Sequence, residues 1–83
     1  MTPLEAIADR VRDTPAGDPV RARAVSEDLH RLLDGLGDEG VAGLVAGVRS
    51  ADAAWRARPG PAAADRLAGL VEDLAVAVDA IDA

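Results

Sequence analysis

Leu67, Leu70, Val71, Leu74, Val78 and Ile81 recur at intervals of three and four up to the end of the chain. A helix turns once in 3.6 residues, so this spacing lines one helical face. A strand, with its period of two, would scatter the same residues over both faces. The pattern occurs in three further segments. Leu4, Ile7, Ala8 and Val11 form the first, and Val25, Leu29, Leu32, Leu33 and Leu36 the second. Val41, Leu44, Val45, Val48 and Trp55 form the third. Proline and glycine punctuate the joins, in "TPAGDP", "GLGD" and "RPGP". No stretch alternates apolar and polar residues. The expectation is an all-α fold, a small antiparallel four-helix bundle with three longer helices and a shorter N-terminal one, forming one helical domain over residues 1–83.

The helix starts are written in residue chemistry. Thr2-Pro3-Leu4-Glu5 reads as an N-cap, a proline at the first helical position and a glutamate closing a capping box. Asp18-Pro19 repeats the cap-and-proline start. Gly35 or Gly37 is expected to end the second helix as a left-handed C-cap, with Asp38 capping the third.

What these helices can bury is limited. Hydrophobic residues make up 49% of the 83, but Phe and Tyr are absent and Trp55 is the sole aromatic. A core of this size rarely supplies more than roughly 3–5 kcal/mol. The chain has no cysteine, so neither a disulfide nor a thiolate metal site adds to it. Self-association or a permanent partner is the remaining source of stability.

Gly35, Gly37 and Gly40 fall in the order G-x-G-x-x-G, the pattern of a dinucleotide-binding loop. That loop needs a strand leading in and a helix leading out. Here "HRLLD" precedes it and is helix-forming, and Asp38 and Glu39 place negative charge inside it. The stretch reads as a helix–turn–helix connection, and no cofactor is expected. "LDGLGDEGVAGLVAGV" also resembles the start of the second helix of acyl carrier proteins over about fifteen residues. That family receives phosphopantetheine on a serine, and Glu39 and Gly40 stand where the serine belongs. The resemblance implies a carrier-like or carrier-docking bundle without its own prosthetic group.

Glu27 and His30 have the E-x-x-H spacing of metal ligands one turn apart, which di-iron carboxylate bundles use in pairs. A dimer would supply two copies, with Glu5 or Glu72 completing a set. The projection places His30 at the flank of the apolar stripe and Glu27 nearly opposite it, which favours a solvated face with Glu27–Arg31 and His30–Asp34 as neighbours. Ser26, His30 and Asp34 share one helix, and nothing suggests an oxyanion hole beside them. Acid pairs such as Glu72-Asp73 read as solvated. No enzymatic activity is expected.

The formal charge is −6, and all nine basic residues are arginines. Phosphate binding needs clustered cations, and "DEGVAGLVAGV" offers no side chain to base edges, so no nucleic-acid partner is expected. Absence of lysine beside abundant Ala, Arg, Gly and Asp matches the codon bias of a high-GC bacterial genome. The N-terminus lacks a signal-peptide apolar region, and no run approaches the roughly 18 apolar residues of a membrane span. A cytoplasmic protein with no membrane role is expected.

The third segment carries the candidate interface. Gly40, Gly43 and Gly47 form a small-residue stripe that either touches another helix of the same chain or meets a second chain. Polar residues are confined to a strip around Arg49, Asp52 and Arg56. Trp55 either closes the core or, with Arg56 and Arg58, forms a basic, aromatic patch for an acidic partner. The acidic last helix would complement that patch in a second copy. The expected function is a non-enzymatic interaction or assembly module, acting as a homodimer or as the dedicated partner of another protein. The carrier-like bundle and the dimeric di-metal bundle are the alternatives.

Overall fold

The computed structural model describes residues 2–82. Four helices account for most of them: α1 (Pro3–Asp13), α2 (Pro19–Asp34), α3 (Ala42–Ala57) and α4 (Pro61–Asp82). A 3-10 turn, Glu39–Val41, leads into α3. There is no strand among the described residues. At 11 residues α1 is the short helix, against 16, 16 and 22 for the others.

Each helix packs on its chain neighbours, and α1 closes the ring against α4. The backbones of the diagonal pairs α1/α3 and α2/α4 stay apart, and these helices meet only through side chains of the shared core. Neighbours run antiparallel. Arg12, near the end of α1, reaches Asp65 and Glu72 of α4, while Leu4 at its start shares a cavity with Ala75 and Val78, further along α4. Short connections require this arrangement. The molecule measures 39 × 22 × 20 Å.

The helix starts follow the sequence signals. Thr2 Oγ1 accepts from the Glu5 amide at 3.2 Å, and Asp18 Oδ1 accepts from the Arg21 amide at 3.0 Å. Each satisfies a donor that the first helical turn leaves without a partner. Asp38 also caps, accepting from the Gly40 amide at 2.7 Å, but the element it starts is the 3-10 turn.

The end of α2 departs from expectation. Gly35 has right-handed backbone angles, and no described residue has a positive φ. The helix tightens instead, with the Gly35 and Leu36 amides donating to the Leu32 and Leu33 carbonyls. Such i→i−3 bonds satisfy the terminal carbonyls without a left-handed residue.

The core is one aliphatic cluster. Val11, Leu29, Leu67, Val71 and Leu74 are fully enclosed, and Trp55, at 1% exposure, is the largest side chain among them. Ile81, assigned to the core by its spacing, is 48% exposed. Ile81 lies near the end of α4, where its neighbour is the 3-10 turn: a Cβ built on Gly40 would sit 4.0 Å from its Cδ1.

Candidate functional site

The seam between α2 and α3 differs from the rest of the bundle. Its facing positions carry small or polar residues: Ala22 and Ser26 on α2, Asp52, Ala53 and Ala57 on α3. Ser26 and Asp52 are each 1% exposed. The sequence placed Asp52 in a polar strip with Arg49 and Arg56, apart from the apolar arc, and the structure buries it. Asp52 lies three and four residues from Trp55 and Val48, both buried, so it sits at the edge of the apolar arc and turns inward where α2 offers donors.

Those donors are Ser26 and His30, one turn apart on α2. Ser26 Oγ donates to Asp52 Oδ2 at 2.9 Å, and His30 Nε2 lies 2.7 Å from the same oxygen. Arg49 Nη1 approaches His30 Nδ1 at 3.4 Å. Arginine has only donors, so this contact makes Nδ1 the acceptor and places the ring proton on Nε2, donating to Asp52. Arg49 Nη2 also holds Asp34 at 3.0 Å, which continues the network to the surface. Asp52 Oδ1 is buried without a hydrogen-bond partner among the described residues. A buried polar atom in that state costs about 1–3 kcal/mol.

Ser26, His30 and an aspartate therefore do come together, but the aspartate is Asp52 rather than Asp34. The arrangement is not a nucleophilic relay. In a relay, hydroxyl and carboxylate engage opposite nitrogens of the imidazole. Here hydroxyl and imidazole both donate to one carboxylate oxygen, and the hydroxyl is enclosed. The trio clamps two helices at a fixed register.

The expected surface pairs also shift. Arg31 pairs with Asp28 at 3.3 Å, and Asp34 pairs with Arg49 across the seam rather than with His30. Arg10 is the stronger partner of Asp28, with Nη1 at 2.7 Å from Oδ2. That hydrogen bond, helped by the charges of Arg10 and Arg31, outweighs desolvation and holds the Asp28 carboxyl below its usual range. Glu27 is exposed and His30 half-buried, and both line one open cavity of 420 Å³ with Ser26, Arg31 and Arg56. No cluster of three or more His, Cys, Asp or Glu side chains suited to a metal occurs among the described residues.

Two of the candidate interface features take a definite place. The Trp55 ring lies in the core, the internal one of its two readings, and Arg56 and Arg58 remain outside without it. Gly40 belongs to the 3-10 turn rather than to the helical stripe. A Cβ built on Gly43 or Gly47 would meet nothing within 4 Å, so neither glycine serves close packing inside the bundle.

Further along the seam is a feature that sequence reasoning missed. Val20, in the first turn of α2, is 79% exposed. It borders a groove of 640 Å³ floored by Ala22, Ala53 and Ala57 and rimmed by Arg23 and Arg56. Neither arginine pairs with a carboxylate among the described residues. The signal lay in "PVRARAVS", where Val20 falls off the stripe of Val25, Leu29 and Leu33. No helix among the described residues is long and apolar enough to cross a membrane. No protein-family model, curated protein or solved structure matches the chain.

Proposed function

We propose that the protein is a non-enzymatic interaction module whose docking surface is the groove between the start of α2 and the end of α3. Its occupant is an acidic helical segment. The observation that carries this is Val20, left 79% exposed beside an alanine floor. Burying such a side chain is worth about 1.5–3 kcal/mol, and the small floor residues leave room for an apolar side chain from outside.

The rim sets the sign of the partner. Covering Arg23 and Arg56 with a neutral surface would strip them of water without compensation, whereas carboxylates would complete them. The chain as a whole carries −6. At physiological salt, however, exposed charges are screened beyond about 8 Å, so the arginines at the contact govern it.

The test is an NMR titration of the ¹⁵N-labelled protein with two synthetic amphipathic helical peptides of the same apolar pattern, one acidic and one basic. The acidic peptide is expected to shift the amides of Val20, Ala53, Arg56 and Ala57 saturably. The basic peptide and the Arg23→Glu/Arg56→Glu variant should show no such response. Equal binding of both peptides, or shifts centred elsewhere, would refute the reading.

A further inference from the structure

The outward face of α4 carries the counterpart of this groove. Val76 is 70% exposed, and Asp73 and Asp79, three residues to either side, are exposed as well. At 100° per residue the two carboxylates project about 60° to opposite sides of Val76, so the valine stands as an apolar knob between acids. Neither Asp73 nor Asp79 is paired with an arginine among the described residues. The groove is the inverse: an apolar floor between two unpaired arginines.

We propose that the occupant of the groove is α4 of a second copy of this chain. Val76 enters above Ala22, Ala53 and Ala57, and Asp73 and Asp79 meet Arg23 and Arg56. This rests on the docking role of the groove and names its partner. Symmetric pairing is disfavoured by charge. Groove against groove opposes arginines, and α4 against α4 opposes carboxylates. Joining unlike surfaces removes both conflicts. The groove is lined by residues of α2 and α3 alone, and Val76 faces outward from α4, so a single copy presents the two surfaces separately. A contact between two different surfaces repeats, so copies join head to tail into a ring or an open chain.

Light scattering on a dilution series, with two single-surface variants, tests this. Val76→Arg spoils the knob and leaves the groove; Arg23→Glu/Arg56→Glu spoils the groove and leaves the knob. All three positions are exposed, and circular dichroism checks that helicity is retained. If Val76→Arg loses helicity, Asp73→Arg/Asp79→Arg takes its place. The wild-type mass is expected to rise with concentration past that of a dimer, unless a two-membered ring closes. Each variant alone should associate at least tenfold more weakly. An equimolar mixture should form a one-to-one complex and stop there, since each member has one live surface. A wild type that stays monomeric overturns the proposal, as does association that both variants leave intact or a mixture that forms no complex. If the acidic peptide still occupies the groove of a monomeric wild type, only the second-copy assignment falls. If it does not, the docking role falls with it.

Discussion

The α1–α4 seam and the α2–α3 seam lie on opposite sides of one bundle and are made of different materials. Between α1 and α4, Leu4, Ile7 and Val11 face Leu67, Val71 and Leu74, and this is the most extensive helix pairing in the molecule. Arg12 closes its rim with ion pairs to Asp65 and Glu72. Between α2 and α3 the join carries Ala22, Ala53 and Ala57 beside the polar set Ser26, His30, Arg49 and Asp52, and two open cavities run along it. Dispersion needs atoms in contact, so the first seam supplies cohesion that the second cannot. Directed hydrogen bonds from Ser26 and His30 to a single oxygen supply register instead. Cohesion and alignment are thus carried on separate sides, and the loosely filled side is the one that carries the groove.

The largest expected effect tests the cohesive side. Leu74→Ala removes a fully enclosed side chain and should cost about 2–5 kcal/mol in urea-induced unfolding. For a core of this size that is comparable with the whole stability. Val20→Ala makes the same kind of truncation at the open side and should change stability by no more than about 0.5 kcal/mol. Similar costs at the two positions would erase the distinction between the seams.

The clamp comes next. Asp52→Ala leaves the Ser26 hydroxyl enclosed without a partner, with an expected cost of about 1–3 kcal/mol, while half-exposed His30 turns to water. The double variant Ser26→Ala/Asp52→Leu removes donor and acceptor together, along with the unpartnered Oδ1. It should lie within about 1 kcal/mol of wild type, because apolar replacement of a buried polar group is often neutral or better. A double variant as unstable as the single one would mean that the polar bonds contribute cohesion as well as register.

The two seams also differ in how far they can be read from sequence. Leu4, Ile7, Ala8 and Val11, and Leu67, Val71 and Leu74, are buried as their periodicity requires, and the Thr2 cap marks where the first of their helices begins. Hydrophobic period is a property of one segment, so one segment suffices to reveal it. Asp52 was misplaced for the opposite reason. On α3 alone it belongs with Arg49 and Arg56, and only the approach of Ser26 and His30 from another helix draws it inward. Trp55 had two admissible places until its neighbours were fixed. The groove is not readable from one segment: Val20 off its stripe signals an exposed side chain, but only two helices set side by side put Ala22, Ala53 and Ala57 beneath it. The left-handed cap expected at Gly35 or Gly37 is absent, because the helix ends by one of several near-equal routes that glycine permits but does not decide.

The smallest effect joins the two sides, at Asp28 on α2, held by Arg10 of α1 and by Arg31. Its carboxyl is more acidic in the folded chain than in the unfolded one, chiefly through the Arg10 hydrogen bond. The unfolded chain therefore takes up a proton first as pH falls. The stabilisation is present in full above the ordinary aspartate value, near pH 4, and disappears as pH drops through the lower folded-state value. Asp28→Asn should melt slightly below wild type at pH 7, and the gap should close as pH falls below the ordinary aspartate range. The pair is exposed to solvent, so 0.5 M salt should shrink the gap at neutral pH. The carboxylates elsewhere titrate in both proteins and cancel in the difference curve, which isolates this one contact. A gap that widened on acidification would mean that the Arg10 contact does not hold Asp28 ionised, and that α1 is tied to the clamped side by apolar packing alone.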